Sequence, residues 1–138
     1  MKKPALILLC AATLAAATIY AQGATTNDGI GTDAQVKRGA DIYAMQCSTC
    51  HDAQLAGSGT APPLAGTDFM ANWKDENVNS LFERIRATMP ADNPGSLKRE
   101  QVAEIIAFVL NYNKFPLAQK DLPTEAEALK AIKIVAPK

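Results

Sequence analysis

The sequence predicts an all-α fold, a single domain with about four to five helices. Apolar residues recur at helical spacing in several stretches, glycine and proline separate these stretches, and no strand pattern flanks the most distinctive motif of the chain. The chain of 138 residues is long enough for one domain with a hydrophobic core and too short for two ordinary domains.

Residues 1–21 have the pattern of a secretory signal peptide. Lys2 and Lys3 precede an apolar stretch, and small residues follow toward an expected cleavage at about residues 21–24. A retained membrane anchor is the alternative, because about 18 apolar residues are enough to span a bilayer. Both interpretations place the folded part on the extracytoplasmic side of a membrane, and contact with the membrane is expected only if the leader is retained.

The charge of the remaining chain excludes a basic nucleic-acid-binding surface. Without Lys2 and Lys3, the chain has 12 basic and 14 acidic side chains, which gives a net charge of −2. Proteins that bind nucleic acid need a basic face. No nucleic-acid partner is therefore expected.

Small and polar residues make up the segment 22–32, which is predicted to be a flexible lead-in. A helical pattern then begins at about Asp33 and runs into Cys47, with Thr32 or Asp33 able to cap its start. Within this helix Gly39 and Tyr43 share one face, and the glycine allows another helix to approach closely. The strongest helical pattern of the chain, at 99–112, is the predicted partner.

The most distinctive motif is Cys-x-x-Cys-His at residues 47–51. Two cysteines at this spacing reach the two vinyl groups on one edge of a porphyrin, and the next residue places an imidazole under the iron. Cys47 and Cys50 are therefore predicted to bind one c-type haem covalently, with His51 as a ligand of its iron. A redox dithiol would need a βαβ context, and a zinc site would need more ligands, whereas His51 is the only histidine and Cys10 lies in the leader.

A loop rich in glycine and proline follows the motif, from Asp52 to Gly66. A ligating imidazole usually donates its other N–H to a fixed acceptor, which orients the ring and raises its basicity. We expect a backbone carbonyl within residues 61–64 to accept this hydrogen bond from His51.

Two more helices are predicted before the last core helix. A short one lies near Asp68 to Trp73, and an amphipathic one runs from about Asn77 to Ala87, where the approaching Pro90 ends it.

Because His51 is the only histidine, the sixth position on the iron is expected to hold a methionine or a lysine, or to be open. Met89 is the predicted ligand, because it follows an amphipathic helix and begins a turn-rich segment that extends to Gly95. Met45 lies in the first helix, two residues before Cys47, which ties it to the side of the haem that His51 occupies, and Met70 has an ordinary packing role in a short apolar helix. A thioether raises the reduction potential, and filling both axial positions disfavours reactions with oxygen or peroxide, so a carrier is predicted rather than a catalyst.

The C-terminal tail, residues 114–138, continues past the last core helix. A short helix is predicted from Thr124, where Thr124 and Glu127 have the spacing of a capping box. The tail is expected either to wrap the helical body or to bind a partner.

Taken together, these features resemble a small class I cytochrome c over about residues 36–113. The residues that carry the resemblance are Gly39 and Tyr43, the motif at 47–51, Pro62-Pro63-Leu64, Met89-Pro90 and the helical run 106–110. The resemblance implies a cytochrome c domain at 33–113, in which the first and last core helices cross and the haem edge is exposed.

For the site, the resemblance also implies the roles of individual residues. The carbonyl of Pro62 is expected to accept the hydrogen bond from His51, and Trp73 is a candidate to donate a hydrogen bond to a haem propionate. Lys98 stands where family members often have a serine or threonine helix cap, which is expected to weaken the start of the last core helix.

The function that the resemblance implies is one-electron transfer in the periplasm. Residues 69–73, 89–97 and the Phe115-Pro116 tail are similar to monohaem cytochromes that accept electrons from periplasmic quinoprotein dehydrogenases, with an oxidase or another cytochrome as the acceptor. The alternatives are a haem protein that binds a small ligand or turns over peroxide after losing its sixth ligand, and a fixed cytochrome subunit of a dehydrogenase complex. No side chain is identified as an acid, base or nucleophile, so the chain is not expected to be an enzyme.

Overall fold

The computed structural model describes residues 23–138, so the predicted signal peptide lies outside the described residues. Within them the chain is mainly helical, which confirms the predicted all-α class. In chain order its helices and strands are β1 (Ala24–Thr25), α1 (Asp33–Gln46), α2 (Ser48–His51), α3 (Gly66–Trp73), α4 (Val78–Thr88), α5 (Arg99–Tyr112), α6 (Ala126–Lys130) and β2 (Ile132–Lys133). A single turn of 3-10 helix, Thr26–Asp28, follows β1.

Helices α1 and α5 cross at Gly39, as predicted. A Cβ atom on Gly39 would overlap the backbone carbonyl of Glu104 and would lie 3.0 Å from the Cβ atom of Phe108. The rings of Tyr43 and Phe108 contact each other with centroids 5.2 Å apart. Because any side chain at Gly39 would enter the opposite backbone, only glycine allows the two helices to come this close.

Helix α5 contributes a wide apolar face to the hydrophobic core. Its cap is Lys98, whose backbone N–H donates to Oε1 of Gln101 at 3.0 Å. A lysine side chain has no acceptor, so it cannot form the reciprocal half of a capping box, and the start of the helix depends on Gln101. The buried residues of α5 are Val102, Ala103, Ile105, Ile106, Ala107, Val109 and Leu110.

Helix α4 leads directly to Met89. The Asn77 side chain caps its start by accepting a hydrogen bond from the Ser80 N–H at 3.0 Å. Its far end is at Thr88, and Met89 follows in an extended conformation, as expected for a residue before proline. The buried residues of α4 are Val78, Leu81 and Phe82.

Residues 23–32, within the predicted flexible lead-in 22–32, are instead packed against the C-terminal tail. Strand β1 pairs in parallel with β2 in a register that aligns Ala24 with Ile132. Ile30 is fully buried, and its N–H donates to the carbonyl of Pro116 at 3.1 Å. The prediction was wrong because it weighed only the small polar residues of the segment, whereas the hydrogen-bond partners come from the far end of the chain.

The tail wraps the helical body. Helix α6 packs against α4 and buries Leu129 completely. The predicted capping box between Thr124 and Glu127 does not form, because the helix begins later and Glu125 occupies its cap position. The Thr124 N–H donates instead to the Glu125 carboxylate at 3.1 Å.

Among the helices within residues 23–138, none combines the length and the apolar composition needed to cross a membrane.

Candidate haem site

The Cys-x-x-Cys-His motif forms one helical turn at the end of α1. The N–H of Cys47 donates to the Tyr43 carbonyl at 2.9 Å, which closes α1. The N–H groups of Cys50 and His51 then both donate to the Cys47 carbonyl, at 3.2 and 2.9 Å. This turn brings the two thiols and the imidazole onto one short element. Cys50 is exposed, Cys47 is half-buried and His51 is buried.

The His51 ring is oriented by the loop that follows it. Its Nδ1 atom lies 2.8 Å from the carbonyl oxygen of Pro62. A carbonyl only accepts, so Nδ1 carries the proton and donates it to this bond, which leaves the lone pair of Nε2 free. The structure therefore places the imidazole and the Pro62 carbonyl together as the sequence analysis expected, with one ring nitrogen available to a metal.

The residue after His51 adopts a conformation that side chains rarely take. Asp52 has φ 67° and ψ 152°, a region occupied almost only by glycine. Its carbonyl accepts two hydrogen bonds, from the Tyr43 hydroxyl at 2.7 Å and from the Leu55 N–H at 3.1 Å. These bonds hold the strained turn through which the chain leaves the motif.

Further along the loop, Gly57 lies against the segment that carries the acceptor carbonyl. Its N–H donates to the His51 carbonyl at 2.9 Å. A Cβ atom on Gly57 would lie 2.6 Å from the Ala61 carbonyl oxygen and 2.8 Å from the carbonyl carbon of Pro62. The glycine thus permits the loop to fold back toward His51.

The end of the loop is tied to helix α5 by Asn113, a residue that the sequence analysis did not identify. Its side chain is buried and accepts a hydrogen bond from the Gly66 N–H at 2.8 Å. The same amide donates to the carbonyls of Leu64 and Val109, at 2.9 and 2.8 Å. An asparagine just past a helix looks like an ordinary cap, and the only sequence signal was its place after the last apolar residue of the helix.

Burial raises the pKa of the Cys47 thiol to about 11, with a further contribution from the neighbouring Cys50. The free sulfur is therefore a thiol at neutral pH, which disfavours a redox dithiol, because the reactive form of such a dithiol is the thiolate. Within residues 23–138 no cluster of three or more histidine, cysteine or acidic side chains could hold a metal ion. Two unpaired thiols beside one oriented imidazole fit a covalently attached haem better than either alternative.

Met89 and Trp73 lie on other elements. Met89 is half-buried just past α4, and Trp73 is half-buried at the end of α3, where it packs against the hydrophobic core. Across the described region, neither side chain is hydrogen-bonded to the motif. The structure thus brings together Cys47, Cys50, His51 and Pro62, and it leaves the roles of Met89 and Trp73 as predictions.

Known proteins are similar to the chain in sequence and in fold. A thiosulfate dehydrogenase of Stutzerimonas stutzeri (strain A1501) is 31% identical over 86 residues, which cover 57% of this chain and 28% of that protein. The sulfane dehydrogenase SoxCD of Paracoccus pantotrophus includes a chain with the same fold, with a TM-score of 0.52 and 21% sequence identity. That match covers 80% of this chain and 60% of the other. The chain therefore spans less than two thirds of either relative.

Residues 34–109, which run from the start of α1 almost to the end of α5, match the family described as cytochrome C oxidase, cbb3-type, subunit III. The match includes the whole Cys47–His51 turn and the loop that orients His51. The chain therefore belongs to this family of cytochrome c domains and carries a covalently bound c-type haem.

Proposed function

We propose that the chain is a periplasmic one-electron carrier in which His51 and Met89 are the axial ligands of the haem iron. The observation that carries the proposal is the hydrogen bond between His51 Nδ1 and the Pro62 carbonyl, 2.8 Å long, inside a cytochrome c domain. This bond fixes both the tautomer and the orientation of the imidazole. A ring held in this way can remain bound while the iron changes oxidation state.

Met89 is the methionine best placed for the sixth position. Met45 is 71% exposed on α1, and Met70 packs against the hydrophobic core from α3. Met89 is half-buried at the end of α4, and its backbone N–H donates to the Ile85 carbonyl at 2.9 Å. Its backbone is therefore fixed and its side chain is partly buried, which supports the predicted ligation.

The haem iron supplies a ferric and ferrous couple when it is bound. The contribution of the chain is to hold the imidazole in one orientation, to shield it from water and to keep the attachment turn rigid. Buried His51 and the two bonds to the Asp52 carbonyl meet these needs. None of these groups has to accept or release a proton during the reaction, which supports a carrier rather than a catalyst.

The donor is proposed to be a periplasmic dehydrogenase and the acceptor an oxidase or another cytochrome. Two classes of donor are candidates, and a different observation supports each. The resemblance to cytochromes that serve quinoprotein dehydrogenases points to a quinoprotein. The matched relatives are named thiosulfate dehydrogenase and sulfane dehydrogenase, which favours a dehydrogenase of sulfur compounds as the second candidate. In that second case the chain would work as the cytochrome component of such a complex.

Absorption spectra of the mature haem protein test the ligation. Oxidised and reduced spectra are recorded for the parent, for Met89→Ala and for the control Met70→Ala. We expect the parent and Met70→Ala to show the weak long-wavelength ferric band of sulfur ligation and no carbon monoxide binding, whereas Met89→Ala loses the band and binds carbon monoxide. A parent that binds carbon monoxide at once contradicts the proposal and favours a ligand-binding or peroxidatic haem protein.

Reduction by purified dehydrogenases tests the donor. The oxidised protein is mixed with a quinoprotein dehydrogenase and its alcohol substrate, or with a thiosulfate-oxidising dehydrogenase and thiosulfate. The true donor class should reduce the haem rapidly, with a rate that depends on salt if charges steer the encounter. Co-purification of the chain with a dehydrogenase would identify a fixed subunit instead of a free carrier.

A further inference from the structure

We propose that Asn113 is a positioning residue that sets the hydrogen bond between His51 and the Pro62 carbonyl and, through that bond, the reduction potential of the haem. The inference rests on the proposed function, because it requires His51 to be an axial ligand. Asn113 itself does not contact the imidazole, so it would act through the loop that carries Pro62.

Asn113 is bonded to both sides of the segment that enters α3. Its Oδ1 accepts from the Gly66 N–H at 2.8 Å, and its Nδ2 donates to the Leu64 carbonyl at 2.9 Å. A second bond from Nδ2, to the Val109 carbonyl at 2.8 Å, locks the amide onto α5. Asn113 is only 7% exposed, so water cannot easily replace these partners.

The fixed segment is close to the acceptor carbonyl along the chain. Leu64 lies two residues after Pro62, and its N–H donates to the Leu55 carbonyl at 2.8 Å. The one residue between them is Pro63, and the rings of Pro62 and Pro63 fix φ and make the connection stiff. A shift of Leu64 is therefore transmitted to the Pro62 carbonyl instead of being absorbed between them.

The other end of the loop has its own anchor. The Tyr43 hydroxyl holds the Asp52 carbonyl at 2.7 Å, immediately after His51. The imidazole of His51 is thus held by a bond from α1, and its acceptor, the Pro62 carbonyl, by bonds from the end of α5. These two helices cross at Gly39. The length of the bond between the imidazole and the carbonyl depends on both sides, and on the acceptor side Asn113 supplies the anchor from α5, beside the bond from the Leu64 N–H to the Leu55 carbonyl.

The chemical consequence follows from the basicity of the imidazole. A strong hydrogen bond from Nδ1–H to a carbonyl makes the imidazole a better donor to the iron, which favours the ferric state. Loss of the Asn113 anchor lets the carbonyl move away and weakens this bond. The reduction potential should then rise.

The test uses the haem protein and matched substitutions at the end of α5. Asn113→Leu removes all three bonds, and Asn113→Asp keeps an acceptor for Gly66 but removes the donors. Asn111→Leu is the control, because the Asn111 amide donates to the Phe115 carbonyl at 3.2 Å and does not touch the loop. The readouts are the reduction potential, solvent exchange of the His51 Nδ1–H in the reduced protein, and the midpoint of unfolding.

We expect Asn113→Leu to raise the potential, and both Asn113 variants to speed exchange of the His51 Nδ1–H by about tenfold, since hydrogen bonds of this kind limit local opening. Asn111→Leu should lower the unfolding midpoint without changing either quantity. A potential and an exchange rate that move no more in Asn113→Leu than in Asn111→Leu overturn the inference and leave the proposed function intact.

Two measurements on the parent test the inference even if Asn113→Leu does not fold. In the parent, the His51 Nδ1–H and the Gly66 amide should exchange at similar rates, because one opening exposes both; an Nδ1–H that exchanges far faster overturns the inference. A parent whose haem lacks His51 as a ligand overturns the proposed function and this inference together.

Discussion

The side-chain amide of Gln35 pairs with the backbone of Leu122 through two hydrogen bonds, as a neighbouring strand would. Nε2 donates to the Leu122 carbonyl at 3.1 Å, and Oε1 accepts from the Leu122 N–H at 2.6 Å. Both residues are buried. The pairing fastens the C-terminal tail to α1. Beside it, Arg38 on α1 forms an ion pair with Asp121 of the tail at 3.1 Å. The tail is thereby part of the fold and not a free arm.

Replacing Gln35 by leucine should destabilise the protein by about 3 kcal/mol, because the buried N–H and carbonyl of Leu122 would both lose their partner. The measurement is the free energy of unfolding from urea titrations followed by circular dichroism. Gln46→Leu, an exposed change on the same helix, should stay within about 0.5 kcal/mol of the parent. Equal effects of the two changes would mean that the pairing contributes nothing to stability.

Gly39→Ala should destabilise the protein by about 2 kcal/mol, even though alanine is the better helix former. Overpacking against the Glu104 carbonyl costs about 3 kcal/mol, from which about 1 kcal/mol of gained helix propensity is subtracted. Urea unfolding measures the effect. The control is Ala44→Gly at an exposed position of α1, which should cost about 1 kcal/mol by propensity alone. A Gly39→Ala variant more stable than the parent would refute the close crossing.

Asp52→Gly should stabilise the protein by about 1 kcal/mol. Glycine relieves the backbone strain at φ 67°, worth about 1–3 kcal/mol, and loses the bond from the Gln54 N–H to the Asp52 carboxylate, worth about 1 kcal/mol. Asp52→Ala is the matched variant, because it loses the same bond and keeps the strain, so it should be less stable than the parent. If the two variants unfold at the same urea concentration, the turn is not strained.

The sequence could predict the elements that are determined by residues within or beside the element itself. The start of α1 at Asp33 and the span of α5 follow from apolar spacing and caps, and the structure has both at the predicted residues. The motif at 47–51 is likewise contiguous, so its helical turn needs no distant partner. The resemblance added the Pro62 carbonyl, which the structure places against His51.

The features that sequence could not predict depend on distant backbone atoms. Gln35 is a polar residue on a buried position, and its partner is 87 residues away. Asn113 is bonded to Leu64 and Gly66, at separations of 49 and 47 residues. Apolar periodicity says nothing about such pairs, because any backbone N–H or carbonyl can be the partner. The packed segment 23–32 was missed for the same reason, since β1 is completed by β2 at the opposite end of the chain.

Tyr43→Phe should make the protein less stable by about 1 kcal/mol at neutral pH, because the hydroxyl bond to the Asp52 carbonyl is lost while the ring contact with Phe108 remains. Burial raises the pKa of the Tyr43 hydroxyl above its ordinary value of 10.0, with smaller contributions from Cys47 and Asp52. The folded state therefore holds this proton more tightly than the unfolded state. The stabilisation is fully present below pH 10 and is lost as the pH rises beyond it, since only the unfolded chain is then free to ionise.

Urea unfolding of the parent and of Tyr43→Phe at several pH values separates the two effects. From neutral pH to about pH 9 the parent should remain more stable by a constant amount, and above pH 10 this difference should shrink and then reverse. Tyr112→Phe is the matched variant, because Tyr112 is 40% exposed and its replacement keeps the bond from the Tyr43 hydroxyl to the Asp52 carbonyl, so it should lose little stability at neutral pH. A stability difference between parent and Tyr43→Phe that stays constant across pH 10 would show that the Tyr43 hydroxyl ionises equally easily in the folded and unfolded states. The hydroxyl would then not be held in its buried bond to the Asp52 carbonyl.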